Sequence, residues 1–153
     1  MRTFATALLA LPLAAGCGGT TLLHQRLESK SKGFSLALVE VTDGPDTYEQ
    51  GMQRLVPADG LRFLWFKVQV RNEQSGPQTF DYHRCDIDFG DHGIVPSFVD
   101  MDKVVNLPLS DDKDKLAPRE EVTRNVVFAF PEGKLPTRLA CGELVVKLPL
   151  RGG

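Results

Sequence analysis

The sequence predicts a small all-β protein, an antiparallel β-sandwich of short strands, on three observations. Leu61–Asn72 (LRFLWFKVQVRN) places Leu64, Phe66, Val68 and Val70 on one side and Lys67, Gln69 and Arg71 on the other. This period-two pattern marks a half-buried strand, and its β-branched and aromatic content suits the centre of a sheet. Ten prolines and 14 glycines are spread along 153 residues, so turns recur too often for long helices. Several further stretches alternate between turn signals, as a sandwich requires.

Composition narrows the class. The chain is 42% hydrophobic and 25% charged, which suits one globular domain with its own core. A formal net charge of -2 supplies no basic field to attract nucleic acid or an anionic membrane surface. No internal repeat or low-complexity tract interrupts the chain.

The first residues read as an address. Arg2 precedes an apolar run over residues 4–15, broken only by Thr6 and Pro12. A bilayer span needs roughly 20 residues, so this run has the length of a secretory signal instead. It ends LPLAAGC, with Ala14, Ala15 and Gly16 directly before Cys17. That motif resembles a bacterial lipobox, although Ala14 stands where leucine is commonest. The resemblance implies removal of residues 1–16 and lipidation of Cys17; an ordinary cleaved signal is the alternative. Several acyl chains would make a durable anchor, at about 0.8 kcal/mol per buried methylene. Gly18 is not aspartate, which implies sorting to the outer membrane in a cell that has two. Residues 17–32 then read as the lipidated cysteine and a flexible tether lifting the domain off the membrane. Leu22, Leu23 and Leu27 only hint at helical spacing there, and His24 reads as a solvated side chain.

From residue 33 to 150 the chain reads as strands and turns, leaving 151–153 as a tail. Residues 33–41 form a first strand, with Phe34, Leu36 and Leu38 on one face. Residues 42–60 are a long polar connection containing Asp43, Gly44 and Pro45, a turn signal; a loop of that length is functional or mobile. After the central strand, Ser75, Gly76 and Pro77 turn the chain into a strand over 78–89. A turn at 90–93 (GDHG) leads to a short partner at 94–99. Residues 121–130 form a late strand, with Val126, Phe128 and Phe130 in phase before Pro131. The last strand spans 138–148, and its change of phase at Gly142 suggests a bulge.

Three of these stretches, FLWFKVQVRN, DIDFGDHG and VVFAFP, together resemble the uncharacterised immunoglobulin-like domain carried by many bacterial lipoproteins. The resemblance covers residues 34–150 and implies an immunoglobulin-like sandwich exposed outside the cytoplasm, with no catalytic residues to carry over. In that family a glycine commonly precedes the late strand; here Pro118, Arg119, Glu120 and Glu121 fill the turn.

With Cys17 assigned to lipid, Cys85 and Cys141 remain, 56 positions apart. In an oxidising compartment such a pair is a disulfide candidate. The alternative is two buried, reduced cysteines acting as small apolar residues.

Candidate chemistry is sparse. His83, Cys85, His92 and Met101 are residue types that suit copper, yet no clustered Cys-His-Met set accompanies them, so no metal site is assigned. Asp86, Asp88 and Asp91 suggest calcium but lack the terminal Glu of a calcium loop, and solvated turn carboxylates are the better reading. Residues 111–115 (DDKDK) mix both signs and read as a polar loop. No nucleophile motif or glycine-rich phosphate loop is present, so neither an enzyme nor a cofactor is expected. The expectation is therefore a membrane-anchored binding module for an unknown protein or envelope ligand. Its contact surface would be drawn from Tyr48 and Met52 in the long connection and Phe98 and Met101 in residues 94–105. The alternatives are that these side chains cap the core, or that the protein is a periplasmic copper carrier or a structural envelope component.

Overall fold

The computed structural model describes residues 19–50, 52–101 and 112–151, so the signal segment and Cys17 lie outside the described residues. In chain order the strands are β1 (Thr20–Leu23), β2 (Leu27–Lys30), β3 (Phe34–Asp43), β4 (Tyr48–Gln50), β5 (Gln53–Leu55), β6 (Leu61–Asn72) and β7 (Gln78–Asp81). A 3-10 turn (Tyr82–Arg84) separates these from β8 (Cys85–Phe89), β9 (His92–Ile94), β10 (Phe98–Asp100), β11 (Lys113–Leu116), β12 (Glu121–Pro131), β13 (Arg138–Cys141) and β14 (Leu144–Lys147). Among the described residues there is no α-helix.

The long alternating strand is central. β6 pairs with β3 on one side and β12 on the other, both antiparallel, and β10 extends the sheet beyond β12. A second antiparallel sheet runs β14-β13-β8-β9, while β7 and β11 form a separate pair. Leu64, Phe66, Val68 and Val70 are buried as their alternation predicts, together with Val126, Phe128 and Phe130 of β12. They share one core with Ile87, Leu139, Leu144 and Val146 of the second sheet. Two antiparallel sheets around a common apolar layer make an all-β, sandwich-like fold, and each buried side chain of that size contributes about 1.5–3 kcal/mol.

The tether expected over residues 17–32 is corrected from residue 20 onward. β1 and β2 run in succession along the free edge of β3, with Thr20 opposite Asp43 and Leu27 opposite Leu38. Leu23 is buried in the core, and the segment covers backbone groups that would otherwise form an open sheet edge. His24 is exposed as expected, its ring 3.1 Å from Glu40.

Other boundaries also move. Residues 78–89 are two strands, because the Asp81 side chain accepts a 3.0 Å bond from the His83 N–H and turns the chain. Residues 94–99 divide between sheets: Ile94 pairs with Ile87, whereas Phe98 pairs with Val127. Pro96 lies between them, and its missing N–H cannot continue a ladder. Gly142 is not a bulge. With φ +63 it opens the tight turn between β13 and β14, where Cys141 faces Leu144.

The polar run at 111–115 contributes β11 instead of a loop. Asp114 is only 8% exposed because it accepts from the Tyr82 hydroxyl at 2.9 Å and from Arg124 Nε and Nη2 at 2.9 and 3.0 Å. Burial, and then the Asp114 charge, push the Tyr82 phenol far above its ordinary value, keeping it a donor. This network ties the β7–β11 pair to β12. The buried side chain of Asn72 reinforces the same end, facing the carbonyls of Gly76, Leu116 and Ala117 and accepting from the Gln74 N–H.

Candidate binding surface

The connection between β3 and β6 folds back instead of looping freely. β4 and β5 pair as a hairpin, Tyr48 opposite Leu55, and lie over the outer face of the large sheet. Phe63 and Trp65 point to that face because they alternate with the inward Leu64 and Phe66. Tyr48 stacks on Phe98 at 4.6 Å between ring centroids, and Trp65 and Phe63 meet Phe98 edge-on at 5.6 and 5.3 Å. The Tyr48 hydroxyl donates to Asp100 at 3.0 Å. The Trp65 indole N–H donates to the Pro45 carbonyl, and the Asp46 carboxylate accepts from the Phe63 N–H. These contacts fix where the hairpin leaves the sheet.

The four residues assigned to a contact surface therefore have different fates. Phe98 is 6% exposed and sits in this aromatic cluster; Met101 is 8% exposed and belongs to the main core. Both are corrected to packing residues, and Tyr48 is half-buried beside them. Met52, at the hairpin turn, is fully exposed. The missed residues are Phe63 and Trp65, whose outward phase in the central strand was the available signal.

A concavity of about 260 Å³ opens at the other end of the sheets. Phe34 and Phe80 form its apolar wall, meeting edge to face at 5.1 Å. Arg84, Cys141, Gly142 and Glu143 border it. The Arg84 guanidinium covers Gly142 so closely that a Cβ there would lie 3.1 Å from Nη2. Beneath it Cys85 and Cys141 are joined in a disulfide. They face each other across neighbouring strands of one sheet, and the Gly142 N–H bonds to the Arg84 carbonyl beside them. That makes them a non-hydrogen-bonded pair, the antiparallel position in which side chains come closest.

The remaining sequence candidates are dispersed. Cys85 is held in the disulfide, His83 lies 3.6 Å from Asp112, and His92 is exposed at the β8–β9 turn. Among the described residues no three His, Cys, Asp or Glu side chains group as a metal site requires. Asp88 is not a solvated turn carboxylate. It accepts from the Thr137 and Arg138 N–H groups at 2.7 and 2.8 Å and from the Thr137 hydroxyl, clamping β8 to the start of β13. Burial pushes its carboxyl up, but these donors outweigh burial and hold it below the usual range. Asp86 is 3.4 Å from Arg138 Nη2.

No protein-family model matches the chain, and no curated protein does. A solved crystal structure of a conserved hypothetical protein from Bacillus anthracis is similar, with a TM-score of 0.53 and 14% identity. The alignment covers 82% of this chain and 89% of that one. The likeness extends to the fold alone.

Proposed function

We propose that the chain is a lipoprotein of the cell envelope, anchored through Cys17 outside the cytoplasm, whose domain is an immunoglobulin-like binding module. The observation that carries this reading is the combination of LPLAAGC, ending at Cys17, with a Cys85–Cys141 disulfide further along. Both features belong to the oxidising side of a membrane. The immunoglobulin-like assignment rests on the motif resemblance, and two antiparallel sheets around one core agree with it. The disulfide joins strands of one sheet, whereas antibody domains link their two sheets. Binding is assigned to the exposed turn at Met52, presented by a hairpin held on the sheet by aromatic packing.

Two measurements on native membranes test this. Intact mass should begin at an acylated Cys17, with Cys85 and Cys141 protected from alkylation until reduction, and Cys17→Ser should release the protein. A full-length, unacylated chain with free thiols would refute the address. A photo-crosslinking amino acid at Met52 should give a discrete adduct that is absent when it replaces Val145; matching patterns at the two sites would refute the hairpin as the contact surface.

A further inference from the structure

The segment expected to be a flexible tether is strand from Thr20 onward, paired along β3. Gly19 packs against the backbone of Gly44, so closely that a Cβ at Gly19 would overlap the Gly44 carbonyl group. Thr20 then enters the sheet opposite Asp43. Cys17 is two residues from Gly19, a span of at most about 7 Å. A lipidated Cys17 therefore leaves no slack between the bilayer and this end of the sheets. We infer that the β-domain sits directly on the membrane by the end that carries Gly44, its occupant there being the lipid bilayer. This inference rests on the lipidation of Cys17 proposed above.

Strand pairing identifies what shares that end. Asp43 binds Arg62, which lies opposite Phe130, and Phe130 meets Phe89 edge-on at 5.6 Å. Phe89 is 38% exposed at the β8–β9 turn, and Val56, 58% exposed, leads into the turn before β6. Asp46, Asp59 and Glu132 outnumber Lys134 on the exposed rim, so charge does not draw this end to anionic lipid. The covalent anchor and a few apolar contacts hold it. The opposite end, with Phe34, the disulfide and the groove beside Arg84, is turned away from the bilayer.

The test uses acylated protein in phosphatidylcholine vesicles whose acyl chains carry bromine, which quenches nearby tryptophan. Phe89→Trp and Val145→Trp are compared, each with Trp65 unchanged so that the increment over the parent is read. Val145 is an exposed position whose N–H bonds to Ser29, towards the far end. Seating predicts an increment at least about threefold larger for Phe89→Trp, lost when 15 Gly/Ser residues are inserted between Gly18 and Gly19. Equal increments with Cys17 acylated by mass would overturn the seating and leave the lipoprotein reading intact. Absence of acylation would overturn both. Increments no larger than those of the Cys17→Ser protein would likewise overturn the seating, because the bilayer would then not reach this end.

Discussion

The two apolar regions of this molecule lie on opposite faces of the same strand. On the inner face of β6, Leu64, Phe66, Val68 and Val70 meet the second sheet and are at most 0% exposed. On the outer face, Phe63 and Trp65 pack with Val127 and Ala129 of the neighbouring β12 and are covered by a short hairpin and β10. The inner layer draws on both sheets, so removing one side chain weakens the whole domain. The outer cluster holds β4–β5 through a few rings and loop hydrogen bonds, and its stability is local. One strand thus carries a global core on one face and a detachable cover on the other. That division suits a protein whose proposed contact residue, Met52, is on the cover.

Truncating a ring in each region is the strongest test of this comparison. Phe66→Ala should cost about 3–5 kcal/mol and lower amide protection throughout both sheets, whereas Tyr48→Ala should cost about 1–2 kcal/mol, with protection lost mainly in β4 and β5. Hydrogen exchange reads both, and global loss of protection in Tyr48→Ala would erase the distinction. A second test uses acid, because Asp88 clamps the inner side alone. Its depressed pKa means that its stabilisation is full above the unfolded carboxylate value of about 4 and is lost as pH falls through the folded value. Thermal melts should therefore show an acid-dependent loss of about 1–2 kcal/mol that Asp88→Asn largely removes, with the hairpin unaffected. The smallest effect concerns Arg119, at φ 65 in the turn before β12. Arg119→Gly should gain about 0.5–1 kcal/mol by relieving a left-handed conformation, less what is lost with its 2.8 Å contact to Glu73. A chemical-denaturation midpoint that falls would show that the ion pair dominates.

The inner core was legible because alternation in β6 and β12 marks its side chains without knowledge of the partner sheet. The outer cluster was hidden by the same rule. Phe63 and Trp65 share a face with Lys67, Gln69 and Arg71, so that face read as solvated, and only the three-dimensional return of Tyr48 covers its apolar half. β11 was obscured because its buried Asp114 depends on Tyr82 and Arg124, distant in sequence. β2 was obscured because LESK has one apolar residue and owes its strand form to the edge of β3. The turn before β12 illustrates the reverse case. The resemblance placed a glycine there, and Arg119 adopts the left-handed conformation that glycine favours. Of the four residues named for a contact surface, Met52 is fully exposed, Tyr48 is half-buried, and Phe98 and Met101 are buried, because alternation within a short segment does not show what packs over it.

The Cys85–Cys141 bond ties the beginning of β8 to the end of β13 and encloses β9, β10, β11 and β12 in one covalent ring. Closing a loop of that length stabilises the fold by about 4 kcal/mol in the chain-entropy model. It also governs the fate of the protein after damage. A single protease cut anywhere between residues 86 and 140 opens the ring without dividing the molecule. The cleaved protein should migrate as one species on a denaturing gel until a reductant is added, and then as two. If Cys17 is acylated, the carboxyl-terminal fragment, which contains most of β12 after an early cut, would stay fastened to the membrane through its partner until the bond is reduced.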